Sequence, residues 1–256
     1  DDENGSAYVA ARALEGLRDT AATGTEQEVR KTARRLAECR PSMAVVGNRV
    51  ARAAEGDTAD EIEREAHAAV ARAYEADDRA AENAAELIDG NDRVVTLSRS
   101  GTVAQTLEEA SPDETVVAES LPGGEGVDFA EELDVPTLVV PDSCVVREVG
   151  DAGVVVVGAD AVLPDGTVVN KVGSLAAALA ALYHNVSFLV VASADKVSPA
   201  GEEGHENEYV EEHGSHVAVF ERVPSEFVEL VTEEGTLSEE DVRKRAEEHA
   251  RLRSSL

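Results

Sequence analysis

The first 90 residues follow a helical pattern of apolar and polar positions. From Ser6 to about Asp89, small and branched apolar residues recur at spacings of three and four, with Glu and Arg between them. Breaks fall near Gly24, Pro41 and Gly56. The stretch 58–88 contains neither Pro nor Gly and predicts one long helix. Its predicted apolar stripe consists of Ile62, Ala66, Ala69, Val70, Ala73 and Tyr74.

From Asp92 the pattern changes to short β-branched runs that alternate with helical segments. The runs are 93–97, 115–118, 137–140, 154–157 and 188–191. Runs that are apolar almost throughout are typical of a parallel sheet covered on both faces. A further run at 216–220 predicts an edge strand, and Ser238 before three acidic residues predicts the start of a last helix.

These patterns predict an α/β fold in two parts. Residues 1–90 form a helical domain, and residues 91–256 form a Rossmann-like domain with a mainly parallel sheet and the ligand cleft. In such sheets, ligands bind at the carboxyl ends of the strands. The segments that directly follow the strands are therefore the places to look for chemistry.

The charge of the chain is strongly negative. Asp and Glu number 53 against 23 Lys and Arg, a formal net charge of -30, and the acidic residues are spread along the whole sequence. This composition predicts a protein adapted to molar salt, where screening removes self-repulsion. The alternative is an acidic protein that binds basic partners. Either reading excludes direct, nonspecific binding to nucleic acid, which requires cationic side chains.

Cysteine content and hydropathy predict a cytoplasmic location. Cys39 and Cys144 are the only cysteines, which suits reduced thiols, and no apolar run approaches the ~20 residues of a membrane span. The chain begins at Asp1, which leaves open a preceding segment. The histidines show no zinc spacing with cysteine, although His205, His213 and His216 are close in sequence. We predict no metal and no cofactor.

The segment after the run 93–97 predicts an anion site. Ser98, Arg99, Ser100 and Gly101 lead into a helix, and the free amides of a helix N-terminus attract anions. The alternative is that Ser100 only caps the helix.

A second group of polar residues follows the run 154–157. Asp160 comes just past this strand, where a carboxylate can shuttle protons if burial raises its pKa. A turn at 164–166 then leads to Asn170 and Lys171, which precede another helix start near Ser174. Lys171 is one of only four lysines and provides a point charge suited to phosphate.

This second group resembles the signature of a known family. The ordered elements Gly158-Ala159-Asp160, Asp165-Gly166 and 170–174 are similar to those of the regulatory subunits of translation initiation factor 2B and the aldose-phosphate isomerases. Two further segments resemble family motifs: Arg40-Pro41 in the helical half, and Glu119-Ser120-Leu121-Pro122 after the second strand. Through this resemblance, Arg40 and Glu119 join Arg99, Ser100, Gly101, Asn170 and Lys171 as expected ligand-binding residues.

The resemblance also implies which catalytic groups are missing. In the isomerases, a Cys and the signature Asp move protons between C1 and C2 through an enediol. Here Asp160 holds the Asp position and Ser98 the Cys position, and serine is a far poorer base than a thiolate. Asn4 stands where an Arg grips phosphate, and Leu121 replaces a second Arg.

Three hypotheses for the function remain. The first is an initiation factor 2B-like protein that binds a sugar phosphate or nucleotide without efficient isomerase activity. The second is an active aldose-ketose isomerase acting on a phosphorylated pentose, and the third is a structural subunit with a vestigial cleft. The family resemblance implies a homo-oligomer, either a dimer or a hexamer. The acidic charge and the lack of a long apolar run predict no direct contact with nucleic acid or membrane.

The net charge predicts how stability depends on salt. We expect the melting temperature to rise when KCl is raised from about 0.1 M to about 1 M, because the screening length falls from about 10 Å to about 3 Å. A parallel series in a nonionic osmolyte separates screening from general surface exclusion. A melting temperature that responds to the osmolyte but not to KCl would contradict the prediction.

Overall fold

The N-terminal region consists of helices, as predicted. The computed structural model describes residues 5–90, 92–201, 209–212 and 214–256. The first helices are α1 (Ser6–Thr23), α2 (Glu26–Glu38), α3 (Ala44–Ala53) and α4 (Ala59–Ala85). Thr58 opens α4 with a reciprocal capping pair, in which its hydroxyl accepts from the Glu61 amide and the Glu61 carboxylate accepts from the Thr58 amide.

The predicted stripe of α4 is right except at its end. Ile62, Ala66, Ala69 and Ala73 are buried, whereas Tyr74 is 53% exposed. The buried face continues instead through small residues, namely Ala76, Ala80, Ala81 and Ala84. The first half of α4 packs against α1–α3, and the second half packs on the sheet, where a bulky side chain would hold the helix away from the strands.

The central sheet has seven strands in the order β12-β11-β7-β4-β1-β2-β3. Its strands are β1 (Arg93–Leu97), β2 (Glu114–Ala118), β3 (Thr137–Val140), β4 (Val154–Val157), β7 (Ser187–Val191), β11 (Glu229–Thr232) and β12 (Gly235–Leu237). All neighbouring pairs are parallel except β11 and β12. This confirms the α/β fold with a mainly parallel sheet.

The strand predicted at 216–220 does not join this sheet, so that expectation was wrong. The segment is divided between β9 (Ser215–Ala218), which pairs with β8 (Tyr209–Glu212), and β10 (Phe220–Val223). β10 pairs antiparallel with β6 (Val168–Lys171), which also pairs with the short β5 (Ala161–Val162). The edge of the main sheet is taken by β12, since it forms a tight hairpin with β11.

Helices cover both faces of the sheet, and neighbouring residues on each strand face opposite ways. The remaining helices are α5 (Gly101–Ala110), α6 (Glu125–Glu132), α7 (Val145–Val149), α8 (Ser174–His184) and α9 (Glu239–Ser254). One core joins Val94 of β1 to α4, α5 and α6, and the other joins Val95 to α7, α8 and α9. None of the described helices is both long and apolar enough to cross a membrane.

The strand order places a crevice beside β1. The chain runs outward from β1 through β2 to β3 and then returns to β4 on the other side of β1. A parallel sheet binds ligands where its strand order reverses, outside the carboxyl ends of the strands. The segments that follow β1 and β4 are those that carry Ser98 and Asp160, so the fold brings the two predicted groups to one edge.

Gly126 allows α6 to start close against the end of β2. A Cβ atom at this position would lie 1.9 Å from the carbonyl oxygen of Ala118, and the Gly126 amide donates to the Glu119 carbonyl at 3.2 Å. Any side chain here would push α6 away from the strand.

We therefore expect Gly126→Ala to lower the free energy of unfolding by about 1–3 kcal/mol, as overpacking does. Gly101→Ala is the matched control, because a Cβ there would meet nothing within 4 Å at the first position of a helix. Denaturant unfolding measures both variants. Equal effects of the two substitutions would contradict this account.

Candidate functional site

The carboxyl ends of β1, β2 and β3 are tied together by hydrogen bonds. The Ser98 amide donates to the Ser120 hydroxyl at 2.6 Å, and the Ser120 and Leu121 amides donate to the two carboxylate oxygens of Asp142, each at 2.8 Å. Ser98 and Ser120 both have positive φ, 63° and 64°. Such left-handed conformations cost energy in residues other than glycine and are concentrated at functional sites.

Glu125 lies at the centre of the polar groups at this edge. Its Oε1 atom is 2.7 Å from the Lys171 amine and accepts a hydrogen bond from the Ser98 hydroxyl at 3.0 Å. The Lys171 amine also donates to the Pro122 carbonyl at 2.6 Å. Lys171 is buried, so its charge is compensated within the protein by Glu125.

Ser100 caps α5, as the simpler of the two interpretations predicted. Its hydroxyl accepts from the Val103 amide at 3.4 Å, and it packs against Gly158, where a Cβ atom would lie 2.9 Å from the Ser100 oxygen. Gly101 is exposed, and a Cβ atom there would meet nothing within 4 Å. The helix N-terminus is therefore open to solvent beside the end of β4.

Asp160 lies next to a buried lysine that the sequence analysis did not single out. The Lys196 amine donates to the Ala159 carbonyl at 2.5 Å. Burial lowers the pKa of Lys196, while the negative charges of Asp160 and Asp77 oppose that shift. The Asp160 amide donates to the Val169 carbonyl, which joins this corner to β6.

Arg49 connects α3 to the same corner. Its Nε atom donates to Asp195 at 3.1 Å, and its Nη2 donates to the Ser193 hydroxyl at 3.1 Å and lies 3.5 Å from Asp77. Its Nη1 is buried without a hydrogen-bond partner among the described residues, and the whole residue is only 4% exposed. A buried guanidinium with an unused donor beside Lys196 concentrates positive charge behind the end of β4.

The pKa values of the two carboxyl groups around Arg49, those of Asp77 and Asp195, shift in opposite directions. Burial raises the pKa of Asp77, although Arg49 and Lys196 oppose the shift. Burial also acts to raise the pKa of Asp195, but Arg52 and Arg49 together hold it below its usual value. Asp195 therefore remains ionised as the anchor of both arginines.

Asn48 and His249 complete the attachment of α3 to the segment after β7. The Asn48 amide donates to the carbonyls of Asp195 and Val197, both at 2.9 Å. His249 Nδ1 is 2.7 Å from the Val197 carbonyl, which places the ring proton on Nδ1 because a carbonyl oxygen can only accept. Burial lowers the pKa of His249 to about 4, so the ring is neutral at neutral pH.

The other predicted site residues differ in their surroundings. The Asn170 amide donates to the Ser174 hydroxyl at 2.9 Å, which joins β6 to the start of α8. Arg99 turns outward and forms a bidentate pair with Glu132 at 2.9 and 2.8 Å. The side chains of Glu119 and Arg40 are partly buried and make no hydrogen bond or ion pair with the described residues.

Some expectations lie outside the described residues. Asn4 falls there, as do His205 and His213. Within the described ranges, no group of three or more His, Cys, Asp or Glu side chains is arranged to hold a metal ion.

Several residues of this edge were missed by sequence reasoning. Lys196 carried a usable signal, since it is one of four lysines and follows a predicted strand by a few residues, as Ser98 and Asp160 do. Glu125 and Arg49 carried none, because their roles depend on which elements meet across the crevice.

Comparisons with known proteins found a matching family profile and similar proteins. Residues 2–238 match the profile of the Initiation factor 2 subunit family. A translation initiation factor eIF-2B subunit 2-like protein of Pyrococcus furiosus is 30% identical over 181 residues, which cover 68% of this chain and 66% of that protein. The ribose 1,5-bisphosphate isomerase of Haloferax volcanii is 30% identical over 229 residues, covering 78% and 69%.

A solved structure extends the similarity to the fold. The translation initiation factor eIF-2B structure from Pyrococcus horikoshii superposes with a TM-score of 0.78 and 26% identity, and the match covers 91% of each chain.

The buried His249 predicts a stability change with pH. Its folded pKa of about 4 lies below the ordinary 6.5, so the unfolded chain binds the proton more tightly between these values. Stability should therefore fall as pH falls from 6.5 to 4, with a His249 contribution on the order of 3 kcal/mol. His249→Asn, which keeps a donor for Val197, should flatten this part of the pH profile of unfolding.

His67→Asn serves as the control, because His67 is exposed on α4. It should leave the pH profile unchanged. If both variants show the same slope between pH 4 and 6.5 as the parent protein, His249 is not the group responsible.

Proposed function

The chain belongs to the Initiation factor 2 subunit family, and from that premise we propose that it binds a phosphorylated sugar or nucleotide at the carboxyl edge of its sheet, without efficient isomerase activity. The proposal includes the sites expected from the sequence: Ser100 and Gly101 at the start of α5, Asp160 after β4, and Asn170 and Lys171 on β6. Lys196 and Arg49 join them.

One observation carries the proposal of an anionic ligand. Lys196 and Arg49 are both buried beside the end of β4, and the Nη1 donor of Arg49 has no partner in the part of the chain that the structure describes. Burying cations is costly unless negative charge lies nearby. Asp160, Asp77 and Asp195 offset these cations, but Asp195 is shared with Arg52 and burial raises the pKa of Asp77, which weakens its charge. A phosphate group would add negative charge beside Lys196 and Arg49.

The surroundings of Ser98 support the absence of efficient turnover. Its hydroxyl donates to Glu125 and its backbone is fixed by Ser120, so it contributes a held hydroxyl group where the isomerases of this family have a thiolate. A hydroxyl has too high a pKa to abstract a carbon-bound proton at neutral pH. Leu121, at the position of an expected Arg, is 47% exposed and offers no charge.

An aldose-ketose isomerase is the second candidate. The observation in its favour is the proximity of Asp160 to Lys196, whose pKa responds to the carboxylate. A carboxylate and an amine of lowered pKa together can move a proton between adjacent carbons. The similarity to the Haloferax volcanii enzyme supports the same class of substrate.

An exposed apolar surface supports association into a homo-oligomer, a dimer or a hexamer. Large apolar side chains are exposed along α7, α8 and the edge strand β3. They are Leu138, Val146, Leu179, Leu182 and Tyr183. Leu138 lies two residues before Val140 on β3, so the two side chains face the same side of the sheet. Val140 belongs to the core under α7 and α8. Several large exposed apolar side chains on one face of a protein are typical of an interface.

Binding and turnover separate the candidate functions. In about 1 M KCl, calorimetric titration should detect AMP or ribose 5-phosphate, and Lys196→Gln should weaken that binding by at least about tenfold. Lys31→Gln, a charge-matched change on the exposed side of α2, should leave it unchanged. Ribose 1,5-bisphosphate and methylthioribose 1-phosphate should give no ketose by NMR.

Each alternative has its own result. Ketose formation that Asp160→Asn abolishes would establish the isomerase instead. No binding of any of these phosphates to the parent protein would favour a structural subunit with a vestigial cleft.

A further inference from the structure

Glu125 provides the edge of the crevice with a negative charge of its own. Its Oε1 atom is 2.7 Å from the Lys171 amine and 3.0 Å from the Ser98 hydroxyl, and its side chain remains 28% exposed. Lys171 is thus held by a carboxylate and by the Pro122 carbonyl. The amine that sequence analysis assigned to a phosphate already has an anionic partner.

The loop after β2 is shaped to hold this carboxylate. Gly123 has a φ of 109°, and a Cβ atom there would lie 2.7 Å from Glu125 Oε2 and 3.6 Å from the Lys171 amine. Only glycine suits both that conformation and that space. The absence of a side chain at Gly123 leaves room for the Glu125 carboxylate beside Lys171.

A phosphate could reach Lys171 only beside Glu125. A carboxylate and a phosphate sharing one amine would lie a few ångströms apart, where like charges in a partly buried site repel strongly. Moving Glu125 away would also deprive Ser98 of its acceptor. The position therefore disfavours a phosphate.

The same position favours ligand hydroxyl groups. Glu125 Oε2 receives no hydrogen bond from the described residues, so it can accept from a ligand hydroxyl. The Ser98 oxygen, which donates its proton to Glu125, retains lone pairs that can accept as well. A carboxylate next to a fixed hydroxyl group can accept hydrogen bonds from the vicinal hydroxyl groups of a pentose.

We propose that Glu125 determines ligand specificity: it reserves the Lys171 position for the hydroxyl groups of a pentose, so that the site takes a ligand with one phosphate group rather than a sugar bisphosphate. This inference rests on the proposed function for the sugar-phosphate ligand. In this arrangement the single phosphate lies toward Lys196 and the start of α5. Glu125 contributes charge and hydrogen-bond geometry and takes part in no covalent step.

Glu125→Gln tests the charge while keeping an amide oxygen that can accept from Lys171 and Ser98. Glu131→Gln is the matched control, because it removes the same charge from an exposed position of the same helix. Ribose 5-phosphate, ribose 1,5-bisphosphate and inorganic phosphate are titrated calorimetrically into the parent protein and both variants. Glu125→Ala provides a second variant if the glutamine form unfolds, and melting curves verify folding.

In the parent protein and in Glu131→Gln, the second phosphate should bring no gain in affinity over ribose 5-phosphate. In Glu125→Gln, the affinities for ribose 1,5-bisphosphate and for inorganic phosphate should each rise by at least about tenfold. Equal affinities for the bisphosphate and for inorganic phosphate in Glu125→Gln and Glu131→Gln would overturn the proposal.

The inorganic phosphate series separates this inference from the proposed function. If neither sugar phosphate binds any of the proteins, the proposed function fails. A gain in inorganic phosphate binding in Glu125→Gln alone would still support the role of Glu125, and the lack of such a gain would overturn it.

Discussion

Two lysine amines lie buried at the carboxyl ends of the parallel strands, and much of the surrounding structure compensates their charge. Lys171 faces Glu125 and the Pro122 carbonyl, whereas Lys196 faces the Ala159 carbonyl, with Asp160 and Asp77 nearby. An uncompensated ammonium group in such a position would cost several kcal/mol. Each lysine therefore fixes where carboxylates and loops must lie, and the two are compensated differently. The partner of Lys171 comes from the start of α6, while Lys196 draws both on Asp160 after β4 and on Asp77 in the helical region.

That difference links the helical part of the molecule to the crevice. Asp77 belongs to α4, and Arg49 of α3 binds Asp195, the residue before Lys196. Asn48 holds the backbone on both sides of Lys196 through the carbonyls of Asp195 and Val197. A buried amide that satisfies two carbonyls is sensitive to small displacements, because each lost bond leaves a buried polar group unpaired. The position of the Lys196 amine consequently depends on how α3 packs, as well as on β7.

The fold was largely predictable, because each main element has a strong local signal. Continuous β-branched runs such as 154–157 indicate buried parallel strands, and the serine before an acidic turn located the start of α9. The rule that ligands bind at strand ends brought Ser98, Asp160 and Lys171 to one edge without any knowledge of their contacts.

The wrong predictions have physical reasons as well. Tyr74 lies where the buried face of α4 passes from one core to another, and 216–220 pairs with β6 and β8, partners that no local pattern specifies. Arg49 and Glu125 act across the crevice, so their roles follow only from the packing.

In the proposed complex, the phosphate of the ligand lies toward Lys196, and the contact between Glu125 and Lys171 is kept. A crystal structure of the complex with ribose 5-phosphate tests this arrangement most directly. We expect phosphate density near the Lys196 amine and the amides of Ser100 and Gly101, with ribose hydroxyls on Glu125 and the contact between Glu125 and Lys171 preserved. Phosphate bound to the Lys171 amine, with Glu125 turned away, would contradict it.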